Sequence, residues 1–245
     1  MQKHEHHLFL VWLIFTGTVS FLLVLAWQQD VLYLLYTTDR SKISVAISLL
    51  YIFVTIHCAM RVFNISSQIN DSRKVESMII NEKNLKLVVS ENKVKIDNET
   101  FLPDCLVTDY IHDLISKTNA ERENPDARNT GSDHIEYYES KLKSPHEIGW
   151  FTADIMIKMG LLGTIVGFIL MLGSVSNLRD FDVTTMQKIL SYMSSGMGTA
   201  LYTTLAGLVC SMLAATQYQM LDRSSDDLID SIRHLTRVYV LPRLS

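Results

Sequence analysis

Residues 155–175 read IMIKMGLLGTIVGFILMLGSV, and residues 186–218 read MQKILSYMSSGMGTALYTTLAGLVCSMLAATQY. Lys158 is the one charge in the first stretch and Lys188 the one charge in the second. A helix rises about 1.5 Å per residue, so each stretch is long enough to cross a hydrocarbon core of about 30 Å. Both are also rich in small residues. Seven of the ten glycines fall between Gly160 and Gly207, so their concentration there is local rather than a property of the composition. Small residues at helical spacing let helix backbones approach closely inside a membrane.

Working outward, two more apolar runs come earlier. Leu8–Trp27 (LFLVWLIFTGTVSFLLVLAW) carries no charge. It ends in Trp27-Gln28-Gln29-Asp30, a poor cleavage site, which predicts a retained helix rather than a signal peptide. A polar link with Asp30, Asp39, Arg40 and Lys42 leads to Ile43–Phe63, which holds Ser44, Ser48, Thr55 and His57 and so should pack against protein on one side. His57 reads as a hydrogen-bonded or interfacial histidine, with a proton relay as the sharper alternative. The fold class that follows is an all-α polytopic membrane protein. It has four transmembrane helices and a cytoplasmic α or small α+β insert between helices 2 and 3. The domains are 1–63 (helices at about 8–27 and 43–63), the insert 64–149, the second helix pair 150–218, and a tail 219–245.

Within the insert, Asn64–Asn84 has helical spacing and should continue the second membrane helix. Leu85–Ile96 has the β-branched runs of a hairpin, and Phe101–Lys117 reads as an amphipathic helix. Asn119–Asp133 reads as a loop. A helix starting near His134 should be interrupted at Pro145. Arg73, Lys74 and Glu76 read as a solvated helix face. The tail after Gln219 keeps helical spacing at Leu221, Leu228, Ile232 and Leu235.

The chain has 245 residues, 48 % hydrophobic and 20 % charged, with a formal charge of −4. Its pI is about 6.0 and its mean hydropathy +0.16. Such a balance argues against a nucleic-acid partner. Cys58, Cys105 and Cys210 are far apart and suggest neither a disulfide framework nor a zinc site. His4, His6 and His7 suit a mobile terminus better than a metal site. No motif points to covalent chemistry, so the chain reads as no enzyme, with no cofactor and no metal. Asp154 and Lys158, four residues apart, should pair.

On the third helix Gly163 and Gly167 form one face, and Gly160, Thr164, Gly167 and Met171 a second. On the fourth, Gly196, Ala200, Thr203 and Gly207 share a stripe, with Ala200, Thr204 and Ser211 beside it. Helix packing accounts for such faces, and a threonine hydroxyl can simply bond its own i−4 carbonyl. The pair GLLGTIVG and ALYTTLAGL also resembles the MotA/TolQ/ExbB proton-channel family, through Gly163, Thr164 and Gly167 and then Thr204, Gly207 and Leu208. The resemblance covers about Trp150–Ala215.

It implies the pore-forming subunit of a proton- or sodium-driven motor in a bacterial inner membrane. A homopentamer would surround a dimer of a single-span MotB/TolR/ExbD-like partner, whose transmembrane aspartate carries the ion. Thr164, Thr204 and Thr203 would line the ion pathway, with Gly160, Gly163, Gly167, Gly196, Ala200 and Gly207 packing the helices among membrane lipid. This chain supplies no carboxylate in the middle of a membrane run. It departs from the ExbB and TolQ type at Thr199, where a glutamate is usual, and in having two helices before the insert, as the MotA branch does. A non-conducting oligomeric scaffold or sensor is the alternative.

Basic residues set the orientation. Lys3, the insert from Arg73 to Lys143, and Arg223, Arg233, Arg237 and Arg243 lie on one side. Arg40, Lys42, Arg179 and Lys188 lie on the other. The first side, with both termini, is expected to be cytoplasmic. A cysteine placed at Asn177 should therefore react with an impermeant thiol reagent from the periplasm and one at Asn124 should not; the reverse pattern would overturn the orientation.

Overall fold

The structure is a computed structural model, and it describes residues 7–81, 87–90, 93–96, 100–103, 105–123, 133–175 and 183–244. Asn177 and Arg179, most of the expected loop after Asn119, and His4 and His6 lie outside the described residues. The elements are α1 (His7–Gln28), α2 (Val31–Thr38), α3 (Ile43–Asn81), β1 (Leu87–Ser90), β2 (Lys93–Ile96), β3 (Thr100–Phe101), α4 (Leu106–Glu123), α5 (Asp133–Val175) and α6 (Val183–Leu235). A π-helical turn over Thr236–Val240 and the short α7 (Leu241–Leu244) follow. The fold is helical apart from one small antiparallel sheet in the order β1-β2-β3. Among the described residues, four helical stretches are long and apolar enough to cross a membrane: Leu8–Gln28, Ile43–Ile80, Ile135–Gly173 and Thr185–Val240.

The chain divides into two compact units. The first comprises residues 1–10, 61–145 and 221–245, and the second residues 11–60 and 146–220. In the first unit, Ile65, Val75 and Ile79 of α3, Ile111 and Ile115 of α4, and Leu221, Leu228 and Ile232 of α6 are buried. Within each helix these residues are separated by close to whole numbers of turns, which is the spacing of one helix face turned inward. The backbone N–H of Leu106 opens α4 by donating to Gln68 Oε1 at 2.9 Å, and Tyr138 Oη donates to Asp113 Oδ2 at 2.6 Å. Lys143 reaches Asp226 at 2.6 Å and Glu139 at 2.9 Å, tying α5 to α6. In the sheet, Leu87 pairs with Ile96 and Lys95 with Phe101, and α4 lies against β1 and β2.

Three boundaries differ from the sequence expectation. Helix α5 runs through Pro145 without a break. Proline removes one i→i−4 hydrogen bond and crowds the preceding turn. The bond removed is the one to the Lys141 carbonyl; the adjacent Leu142 carbonyl accepts from Arg61 Nη2 at 2.9 Å. Helix α4 starts at Leu106 rather than Phe101, which lies in β3, and continues to Glu123 through Ala120, Glu121 and Arg122, which are strong helix formers. The link between the first two long helices holds a helix of its own, α2, because VLYLLYTT is itself an apolar, helix-compatible run.

In the second unit that link is anchored by Asp39. Its buried carboxylate accepts from Ser41 N (2.9 Å), Ser41 Oγ (2.6 Å) and Ser44 N (2.7 Å). The last of these caps an orphan N–H in the first turn of α3. The same bonds hold Lys42 in the left-handed region at φ 57, where few residues other than glycine settle. Burial alone would raise the Asp39 pKa, but the hydrogen bonds from Ser41 and Ser44 outweigh it and lower the value below its usual 3.8.

The unfolded chain therefore takes up this proton at a pH where the folded chain does not. The stabilisation is complete above the unfolded value and is lost as pH falls through the lower folded one. Asp39→Ala is expected to cost about 1–2 kcal/mol, as loss of a helix cap does. Denaturation of the detergent-solubilised protein at pH 7 should show the loss. Repeating it at successively lower pH should narrow the gap between the two proteins below about pH 4; a gap that stays constant down to pH 2 would refute the carboxylate's role.

Candidate functional site: the contact between α5 and α6

All three glycines expected to pack on α5 are buried, and each faces α6. A Cβ built on Gly160 would lie 3.2 Å from Gly207 Cα and 3.2 Å from the Thr203 carbonyl. On Gly163 it would overlap the Thr203 side chain. On Gly167 it would lie 2.7 Å from both Ala200 N and the Gly196 carbonyl. From the other side, a Cβ on Gly207 would come within 2.7 Å of the Met156 carbonyl, and one on Gly196 within 2.7 Å of Met171 Cβ. The two backbones are thus in contact over three turns, at the positions where both helices lack side chains. This contact lies within one chain.

The three threonines occupy different places. Thr203 is fully buried against Gly163, and its hydroxyl donates back to the Thr199 and Ala200 carbonyls at 2.9 and 3.1 Å. Thr204 is half-buried and crosses between the helices, its Oγ1 lying 3.1 Å from the Gly160 carbonyl and 3.1 Å from that of Ala200. Thr164 is half-buried on α5 and donates to the Leu161 carbonyl at 2.6 Å. Thr204 and Thr203 are therefore brought to the α5–α6 contact, and Thr164 lies a turn beyond Gly160 with its hydroxyl bonded along its own helix. The expected pair of Asp154 and Lys158 is present on an exposed part of α5.

Two features escaped the sequence reading. Thr199 is fully buried, and its hydroxyl donates to the Thr38 carbonyl at 3.0 Å, so α6 is fastened to the end of α2. A Cβ on the neighbouring Gly198 would sit 2.6 Å from Thr38 Cγ2, which is why glycine stands there. Gln217 is also fully buried, its Nε2 directed at Tyr51 Oη (3.3 Å) and Thr55 Oγ1 (3.5 Å). An amide within an apolar run was the available signal for it. His57, read as a hydrogen-bonded histidine, bonds Tyr218 Oη through Nδ1 at 2.6 Å. Among the described residues, no three His, Cys, Asp or Glu side chains gather as a metal site.

Four membrane-capable helices, two of them joined backbone to backbone through glycine, define a multi-pass membrane protein. Residues 106–234 match the model of the MotA/TolQ/ExbB proton channel family, and the chain belongs to that family. The match takes in all of α5–α6 contact just described, together with α4. No curated protein and no solved structure matches the chain. The family is one of channel-type motor subunits that act in oligomeric complexes with single-span partners, and not a family of enzymes.

The Gly163–Thr203 contact makes a quantitative expectation. Gly163→Leu should prevent the two helices from closing and lower the yield of folded protein. Gly163→Ala should cost about 1–3 kcal/mol, the usual range for overpacking. In a Thr203→Gly background, which removes the opposing side chain, Gly163→Ala should cost much less, and a double-mutant cycle on unfolding from detergent would measure the difference. Equal costs in both backgrounds would show that the two residues do not meet.

Proposed function

We propose that this chain is the pore-forming subunit of a proton- or sodium-driven motor of a bacterial inner membrane. Five copies surround a dimer of a single-span partner, and the partner's membrane aspartate carries the ion. The observation that carries this reading is the Thr204–Gly160 hydrogen bond. It joins the two pieces of the family motif across α5 and α6, inside the region that the family match covers. In this reading residues 64–149 and both termini are cytoplasmic, and α5 and α6 form the wall that the aspartate passes.

The chemistry asked of the wall is modest. A carboxylate that must ionise in low dielectric is helped by any hydroxyl that can turn toward it. Thr204 and Thr164 place two such oxygens on adjoining helices, each otherwise bonded to a backbone carbonyl. The gradient supplies about 2.3 kcal/mol per elementary charge per 100 mV, which successive steps past the wall convert into rotation. The contrary reading, a non-conducting scaffold, draws on the same bonds: every hydroxyl of Thr164, Thr203 and Thr204 already has a backbone acceptor. Native mass spectrometry of the detergent-purified complex separates the two, since a homopentamer with two copies of a small partner supports the motor and a monomer or dimer opposes it.

Thr204→Val keeps the volume and removes the hydroxyl. As a packing element the bond is worth only about 0.6 kcal/mol, the average inside membranes. The variant should therefore express and assemble normally while ion flux and the driven process fall sharply. Thr164→Val should behave alike, and Thr16→Val in α1 should be nearly silent. Unchanged flux in both wall variants would remove the channel role from these threonines.

A further inference from the structure

The link between α1 and α3 lies at a membrane surface. Helix α1 has 22 residues, about 33 Å of helix, so it crosses a hydrocarbon core of about 30 Å once and ends at Gln28. Helix α3 enters again at Ile43. Between them, Trp27 at the end of α1 and Val31, Tyr33 and Leu34 of α2 are exposed. Tryptophan and tyrosine at this depth belong at the level of the lipid headgroups.

The turn after α2 carries two exposed cations, Arg40 and Lys42. Among the described residues, neither side chain is paired with an acid. The neighbouring carboxylate of Asp39 is occupied by Ser41 and Ser44. Asp30, the other acid of the link, stands at the far end of α2, about 12 Å along that helix. The turn itself is held in place, since Arg40 N donates to Thr199 Oγ1 at 3.4 Å. Lys42 has φ 57, a conformation that glycine adopts without strain. A lysine is therefore less stable there than a glycine, and what it adds is an ammonium group.

Beyond these cations α3 presents an exposed apolar stripe of Val45, Leu49, Phe53 and Ile56 at helical spacing. From Val45 to Ile56 the helix covers about 16 Å, close to half of the hydrocarbon core. Two unpaired cations at the head of an apolar stripe one leaflet deep match a molecule with an anionic head and acyl tails.

We propose that Arg40 and Lys42 bind the phosphate of an anionic phospholipid of the phosphatidylglycerol class, whose acyl chains lie along the exposed stripe of α3. The site requires only that α1 and α3 cross the membrane, and it stands whether or not the chain conducts ions. Arg40 offers phosphate oxygens two parallel N–H donors, and Lys42 adds a compact charge. The bound lipid fixes the end of α2 to the membrane surface. Through the bond from Thr199 to the Thr38 carbonyl it also steadies α6.

The test uses the full chain in dodecyl maltoside, titrated with dioleoylphosphatidylglycerol or dioleoylphosphatidylcholine, with bound lipid counted by native mass spectrometry. A basic residue near a membrane surface contributes about 1 kcal/mol toward anionic lipid, a factor of about five. Arg40→Gln and Lys42→Gly should each weaken phosphatidylglycerol binding about five-fold, and together about 25-fold, with phosphatidylcholine binding unchanged. Lys74→Gln, in the first unit, should alter neither. Lys42→Gly should unfold at the same temperature as the wild type or higher in lipid-free detergent, because it relieves the left-handed lysine; Arg40→Gln leaves the backbone of the turn untouched and reads the headgroup contact independently. Equal binding of the two lipids by the wild type overturns the site. So does phosphatidylglycerol binding that both variants leave intact. If, with lipid binding intact, the variants instead release an associated protein from the complex purified with its native partner, the two cations serve an acidic protein segment and the lipid site is wrong.

Discussion

The rest of the second unit depends on the absence of side chains where α5 meets α6. Lipid offers no hydrophobic drive for helices to associate, so they hold together by van der Waals contact and by hydrogen bonds across the gap. Gly160 and Gly207 bring the backbones close enough for Thr204 to reach a carbonyl of the facing helix. One turn along, Gly163 receives the Thr203 side chain, and beyond it Gly167 lies against Gly196 and Ala200. A methyl group at Gly167 or Gly207 would meet the backbone of the facing helix at 2.7 Å and force the two helices apart there. The seam also consumes the small residues. What α5 and α6 present outward is bulky: Leu161, Ile165 and Phe168 on one, Leu201, Leu205 and Met212 on the other. Large apolar side chains thus form the exposed faces of α5 and α6, while the glycines serve the interior of the chain.

Thr199 stands where the resemblance to the ExbB and TolQ type implies a glutamate, and its surroundings suit a hydroxyl. Thr199 is enclosed and donates to the Thr38 carbonyl, with the buried carboxylate of Asp39 next in the chain. A glutamate at 199 would set a second carboxylate against a carbonyl oxygen and near Asp39. Like charges in so enclosed a place raise the cost of ionising either. The threonine suits the end of α2, where the Thr38 carbonyl needs a donor rather than an acid.

Much of this was legible in the sequence because membranes make helix signals strong. Four charge-poor runs, the glycine spacing of Gly160, Gly163 and Gly167, and the i,i+4 pair of Asp154 and Lys158 all follow from local periodicity. Periodicity could not say that Thr203, rather than Thr164, fills the notch at Gly163, since that depends on the rotation of two helices against each other. It also could not foresee α5 passing through Pro145, a residue that removes a helical hydrogen bond. The left-handed Lys42 and the bonds of Asp39 were hidden too: a cap reaching five residues ahead matches no short motif.

The distribution of polar groups completes the physical account. Near the glycine seam the hydroxyls of Thr164, Thr203 and Thr204 all find acceptors within a turn or across it, so this region can be apolar in energy while remaining polar in composition. At Gln217 and Tyr218 the balance changes, for a buried amide keeps an unpartnered oxygen and a phenol bonds the imidazole of His57. Burying an amide without full pairing costs about 1–3 kcal/mol by protein measurements. An interhelical bond in a membrane returns less than that on average. Stability alone would favour apolar residues at those positions, as it does along most of α6.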